Sequence, residues 1–448
     1  MTDSTRFPGS SLREWHYLQS LHIEANFFQL SLLLLSMLSS RRAAPLLGLA
    51  VFFFFLYFFR SLSSQWHNVP QVVGLGDLVP TPTASRLLSN VTSPSTSPTK
   101  QPYAPRPHYG PGKPKPPGST YTKTLVVPKT KDEDTNWIGQ EIPEWQPAVY
   151  VVDDPSAPLH PPRNKGHEVM VYLSYIIDHY QDLPDVIAFM HSHQFAWHND
   201  DLFGQNAADL LRRLSPARVV REGYMNLRCN WGPGCPDWMH PGAIEENASK
   251  QEEIMLARAW GEIFLDDPIP PVLAQPCCAQ FAVSRDRILA IPKARFVYYR
   301  DWMLRTELSD YISGRVWEYL WHVVFTGENI SCPAENVCYC DGYGICFGGE
   351  DEYANFRGLG AQKSALDQEL RRWLDDAQAI EIARVSGPLT EEHHLAIPEP
   401  GKDIKLQEEI WSLERTLNEL KDGAYERGAD PKARALEAGR EWKDGDGF

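Results

Sequence analysis

A chain of 448 residues, 43% hydrophobic and 23% charged, holds enough apolar material for a folded core, which excludes a wholly disordered protein. Its net charge of −15 argues against a nucleic-acid partner, because phosphate binding needs a basic surface. Much of the acidity lies beyond residue 350, so it speaks of solubility and says little about the middle of the chain.

Residues 1–42 read as a cytosolic N-terminal segment. "AAPLLGLAVFFFFLYFF", Ala43 to Phe59, carries no charge and is bounded by Arg41, Arg42 and Arg60, so 43–60 reads as a transmembrane helix of minimal length. Its long apolar core and the lack of a small-residue cleavage site weigh against a removed signal peptide. Arg6, Arg13, Arg41 and Arg42 precede the span, whereas only Arg60 and Arg86 follow closely. The positive-inside rule then leaves the remainder in the lumen. The shorter run "FFQLSLLLLSML" at 27–38 either lies in the interface or makes a hairpin that inverts this topology. The expectation is a single-pass type II protein of the Golgi or ER membrane, with Asn90, Asn247 and Asn329 as glycosylation candidates.

Residues 61–120 are rich in Pro, Ser and Thr, cannot bury a core, and read as a disordered stem. From 121 to 350 strands and helices alternate. "TKTLVV" and "AVYVVDD" read as strands, "NKGHEVMVYLSYIIDHY" as a helix, and "DVIAFMHSH" as a further strand. Such alternation predicts an α/β domain with a mainly parallel central sheet and flanking helices. Ligands in such sheets sit beyond the carboxyl ends of the strands. Those ends carry Asp132 to Asp134, the pair Asp153–Asp154, and the stretch "HSHQFAWHNDD".

In that stretch His191 and His193 share one strand face, and His198, Asp200 and Asp201 can fold back from the loop. One outcome is a divalent metal site, with imidazole favouring zinc, iron or manganese and added carboxylates shifting the preference toward harder ions; manganese or zinc is the ion expected. The other is hydrogen-bonded histidines closing a strand end, with the aspartates starting the next helix. "HPPRNKGHEVM" leads into a helix N-terminus, where free N–H groups with Lys165 and Arg163 suit a diphosphate or simply a capped turn. Further on, "QFAVSRDRIL" reads as a strand running into a short helix and "SGRVWEYLWHVVF" as a helix over 313–325. Glu318 and His322, four apart, would share a face there, either as a catalytic pair or as an ordinary pair on a buried helix. Trp317 and Trp321 would stack on a sugar or fill a core.

All eight cysteines fall between Cys229 and Cys346, an even number that suggests disulfides in an oxidising compartment. Cys229 and Cys235 bracket a Pro/Gly turn and are the first pair expected. Cys332, Cys338, Cys340 and Cys346 suggest two further bridges or a zinc knot. Cys277 and Cys278, being adjacent, are expected to bond to different partners. Residues 351–448 read as a charged helical extension. In it, Leu406, Ile410, Leu413, Leu417 and Leu420 form a short heptad stripe, suited to docking on the domain or to self-association through 406–420.

The ordered segments "KDEDTNWI", "YVVDDPSAPLHPPRNKGHEVM", "FMHSHQFAWHNDD", "REGYMNLRCNWGPGCP", "QFAVSRDRIL" and "GRVWEYLWHVVF" resemble a largely fungal family of domains of unknown function, over roughly 121–350. "LVV", "DEDTNWI" and "QFAVSRDRI" are also similar to nucleotide-diphosphosugar glycosyltransferases. That similarity implies a glycosyltransferase-A-like fold, a nucleotide-sugar near the first strands and a glycan acceptor near "QFAVSRDRI". Asp134, Asp153, Asp154 and Lys165 would then hold the nucleotide-sugar or its metal. His191, His193, His198 and Asp201 would be metal ligands, and Glu318, His322 and Asp200 catalytic groups. The usual D-x-D is replaced by His191, Ser192 and His193, and Asp153–Asp154 and Asp200–Asp201 are adjacent pairs. Two other functions fit the same residues: a metal-dependent hydrolase using the histidines, and a carbohydrate-binding or scaffold protein without catalysis.

Overall fold

The computed structural model describes residues 106–265, 267–386 and 397–448. The expected span at 43–60, the run at 27–38, most of the stem and Asn90 lie outside the described residues. Among the described residues no helix is long and apolar enough to cross a membrane.

Among the described residues five strands form one sheet: β1 (Lys123–Lys129), β2 (Gln146–Val151), β3 (Val186–Phe189), β4 (Tyr224–Asn226) and β5 (Phe281–Ser284). Their order is β2-β1-β3-β5-β4. β1 pairs in parallel with β2 and β3, whereas β5 runs antiparallel to both β3 and β4. The sheet is therefore mixed rather than mainly parallel. The correction comes from β5, whose direction no local pattern announces.

Strand alternation divides the apolar side chains between two cores. Val126, Ile187, Phe189, Phe281 and Val283 face one side. There they meet helices α2 (Val169–Asp178), α5 (Glu253–Ile263), α7 (Lys293–Arg305), α8 (Asp310–Glu318) and α9 (Trp321–Thr326). Leu125, Val127, Val186, Ala188 and Ala282 face the other. Here they meet α1 (Trp137–Glu141), α3 (Ala207–Arg213), α4 (Pro216–Glu222) and α10 (Glu335–Tyr343). β5 runs straight into α6 (Arg285–Leu289), because Ser284 ends the strand and caps the helix by accepting from Arg287 N. α4 starts on Ser215 and Pro216 and ends at Gly223, whose φ of +81° and contact with Arg287 leave no room for a Cβ.

The helix expected over 313–325 is two helices, broken at Tyr319 and Leu320. Trp317 and Trp321 are both fully buried, which excludes them as a sugar platform. Beyond α10 come α11 (Glu350–Ser386), α12 (Lys402–Gly428) and α13 (Pro431–Glu437). α11 and α12 pack together, and Leu406 and Ile410 of the heptad stripe are buried within the chain. Leu417 and Leu420 pack against the second core.

All eight cysteines are paired: Cys229–Cys338, Cys235–Cys332, Cys277–Cys278 and Cys340–Cys346. The expected Cys229–Cys235 bridge is absent, because each cysteine of that turn reaches across to the segment before or within α10. Cys277 and Cys278, expected to part, bond to each other.

Candidate functional site

The segment leaving β1 carries α1 on one face of the sheet and the segment leaving β2 carries α2 on the other, so the carboxyl ends of these strands open a crevice. A cleft of about 620 Å³ lies there, walled by Lys129, Thr130 and Glu133 after β1, by His191, His193 and His198 after β3, and by Glu318 of α8. Its size suits a small organic ligand.

Buried polar side chains fold the histidine loop. Asn199, 1% exposed, donates to the carbonyls of Gln194 and Gln205 at 3.0 Å. Gln280, just before β5, accepts His191 N at 3.1 Å and donates to His198 O and Asn199 Oδ1 at 3.1 Å. The result sets His191 and His198 side by side, ring centroids 4.4 Å apart, with the His191 Nε2–H facing Cys278 O at 3.0 Å. Burial lowers the pKa of His191 and pushes that of His198 down to about 3, so the pair is neutral at pH 7. The exposed indole of Trp197 meets His198 edge-on at 5.7 Å.

Beside this pair, His193 Nε2 lies 3.2 Å from Glu133 Oε1, which also accepts the Ser192 hydroxyl at 2.9 Å. Burial works to raise the Glu133 pKa, but the Thr130 N–H, the Ser192 and Thr130 hydroxyls and His193 outweigh it, and the net shift is downward. Glu133 is thus an ionised anchor of the loop after β1.

Glu318 differs in kind. Its Oε1 accepts Cys278 N at 2.6 Å, and its Oε2 accepts no hydrogen bond among the described residues. Burial pushes its pKa up to about 7, against lowering by the Cys278 N–H. Glu168, also on the cleft, is raised to about 7 by burial. Arg315 lines the cleft, but its guanidinium holds the fully buried Glu252 in a two-point bridge at 2.7 and 2.9 Å.

Several expected site residues lie elsewhere. Asp200 is completely buried outside the cleft; its oxygens accept Leu202 N at 3.0 Å, Cys229 N at 2.9 Å and the Tyr339 hydroxyl at 2.9 Å. It caps a turn and ties two loops. Asp201 pairs with Arg357 at 2.8 Å on the surface. His322 is buried in the first core against Asn329 O at 2.8 Å, on a different helix from Glu318. Lys165 is buried and donates to Thr306 O. Backbone N–H groups at the start of α2, at Gly166 and His167, are met by the Asp310 carboxylate, so a side chain already occupies the place expected for a diphosphate. Asp134 accepts Asn136 N, Asp153 accepts Lys131 N, and Asp154 accepts Ser156 N and pairs with Lys131 at 3.4 Å. Asn247 is an exposed sequon residue, whereas Asn329 is partly buried.

The ligand set His191, His193, His198 and Asp201 is not assembled. Among the described residues, two groups bring three potential donor atoms within 4.8 Å: Cys277, Cys278 and Glu318, and Cys340, Cys346 and Glu437. In both, the sulfurs are engaged in disulfides. Residues that sequence reasoning missed are Glu133, Glu168, Trp197 and Arg315. Glu133 lies inside the acidic run before "TNWI", and only the fold distinguishes it from its neighbours.

The chain matches no curated protein and no solved structure. Residues 125–341, which hold the cleft's histidines, its cysteine pair and Glu318, match the family model described as Protein of unknown function (DUF3431).

Proposed function

We propose that the cleft is a sugar-transfer site of glycosyltransferase-A type, in which Glu318 is the base. The observation that carries this reading is the Glu318 carboxyl, held at the cleft floor with one oxygen uncommitted and a pKa raised to about 7. A base poised near the operating pH can take a proton and need not hold it tightly. In the proposed step Glu318 removes the proton of an acceptor hydroxyl. The acceptor oxygen bonds to the anomeric carbon, and the nucleoside diphosphate leaves with the electron pair of the broken C–O bond. Lys129, at the end of β1 on the cleft wall, would face that negative charge.

The crevice between β1 and its two neighbours supports a nucleotide half near β1, and the neutral wall around His191 supports an acceptor half near β5. We further propose that residues 43–60 anchor the protein in a secretory membrane with the domain in the lumen, where four disulfides are stable.

The test is to incubate the full chain with a panel of nucleotide-sugars and an oligosaccharide acceptor, and to weigh the products. Transfer that falls by at least about 10²-fold in Glu318→Gln is the expected result. Sugar release from the oligosaccharide without any nucleotide would replace transfer by hydrolysis. Saccharide binding with no turnover would leave a carbohydrate-binding protein.

A further inference from the structure

The disulfide between adjacent residues Cys277 and Cys278 closes a small ring on the cleft wall. Cys277 is 3% exposed, and Cys278 is partly open. Cys278 and the following Ala279 hold φ values of +88° and +49°, a left-handed backbone that residues with a Cβ seldom adopt. Three neighbours hold the ring: Cys277 N donates to Pro233 O at 3.0 Å, Glu318 accepts Cys278 N, and His191 donates to Cys278 O. Through the partly open Cys278 the ring offers the cleft a rigid, apolar, polarisable surface that brings no charge and no strong donor.

What lies beside that face identifies what it can hold. Trp197, His198, His191, the ring and Glu318 follow one another along a continuous wall, with an exposed indole at the mouth and a carboxyl at the floor. The arginines nearby are committed. Arg315 holds Glu252, and Arg228 donates to Trp197 O at 3.1 Å and Gly232 O at 2.9 Å. Such a wall suits neither phosphate nor a carboxylate ligand. It does suit a pyranose, which has an apolar C–H face to stack and hydroxyls at its edge to pair.

We propose that the Cys277–Cys278 ring is the stacking platform of a neutral saccharide subsite, with Trp197 as the outer contact and Glu318 Oε2 receiving a sugar hydroxyl. This inference rests on the sugar-transfer reading above and names its acceptor class.

The experiment uses the full chain and the methyl pyranosides of gluco, manno and galacto configuration, followed by saturation-transfer NMR and titration. At least one pyranoside should bind, with its ring C–H protons receiving saturation. Cys277→Ser/Cys278→Ser should weaken it by about fivefold or more. Trp197→Ala, at an exposed position, provides a second variant that keeps the fold. Melting curves must show the double variant folded. Unchanged affinity in a folded double variant overturns the platform, as does a wild type that binds no pyranoside. Ring-dependent saccharide binding in a protein that transfers no sugar would keep this subsite and remove the transferase reading. Transfer that persists undiminished in the double variant would do the reverse.

Discussion

Glu318 Oε1 accepts the backbone N–H of Cys278 at 2.6 Å, so the carboxyl is tied directly to the disulfide ring. Burial raises that carboxyl from its ordinary 4.5 to about 7. Between those values the folded chain binds more protons than the unfolded chain, so its contribution makes stability fall as pH rises through that window. Glu168 contributes with the same sign. Glu318→Gln removes one such ionisation. The variant should therefore gain on the wild type in melting temperature between pH 5 and pH 8. Melts at both pH values check this, and a constant difference between the two proteins would contradict it.

Asp200 should behave as a structural residue. Asp200→Asn keeps the shape but weakens the acceptor shared by Leu202 N, Cys229 N and the Tyr339 hydroxyl. The expected loss is about 2–4 kcal/mol in a denaturant titration. Saccharide binding by the folded variant should be unaffected. A stable variant that has lost binding would return Asp200 to the site.

The disulfides should separate by the length of chain they close. Cys229–Cys338 spans 109 residues, and replacing both by Ser should lower stability by about 4–5 kcal/mol. Cys277–Cys278 spans one, and its loss should leave the melting temperature nearly unchanged. Parallel melts of the two double variants decide the matter. Equal losses would mean that the ring supports the fold as much as the long bridge does.

Trp197→Ala should alter binding without altering stability. Its side chain is 62% exposed at the cleft mouth, and exposed substitutions typically stay within about 0.5 kcal/mol. Titration with the pyranoside chosen above should show weaker affinity at an unchanged melting point. Equal affinity would remove the indole from the subsite.

Much of the sheet was legible because β1, β2, β3 and β5 are short apolar runs bounded by turn residues. β4 was not, since Tyr224–Asn226 is too short to show a period. Strand direction was equally hidden: "QFAVSRDRIL" reads the same whether it enters the sheet parallel or antiparallel. The histidine stretch, expected at the carboxyl end of a strand, lines the cleft there. Its aspartates were not ligands, because an acidic residue before a turn can satisfy free N–H groups, as Asp200 does for Leu202. Glu318 was singled out by type and position, and its expected partner His322 was lost at the helix break. The cysteine pairings joined residues about a hundred positions apart, a relation that spacing does not encode.

The family match ends at residue 341, inside α10, yet the second core does not end there. Ile345, Phe347, Tyr353, Phe356 and Ala424 all belong to it, Cys346 N donates to Ala424 O at 2.9 Å, and Lys421 Nζ reaches Leu202 O at 2.7 Å. Gly428 lies so near Gly344 that a Cβ would stand 2.0 Å from its carbonyl oxygen. A fragment trimmed to the matched segment would thus leave the second core open where α11 and α12 close it. It would be prone to stick to itself, and its inactivity would reveal nothing about the cleft at the strands' carboxyl ends. The second core reaches into the first two turns of α11 and the C-terminal half of α12, and a truncation series should show cooperative melting only once those helices are retained.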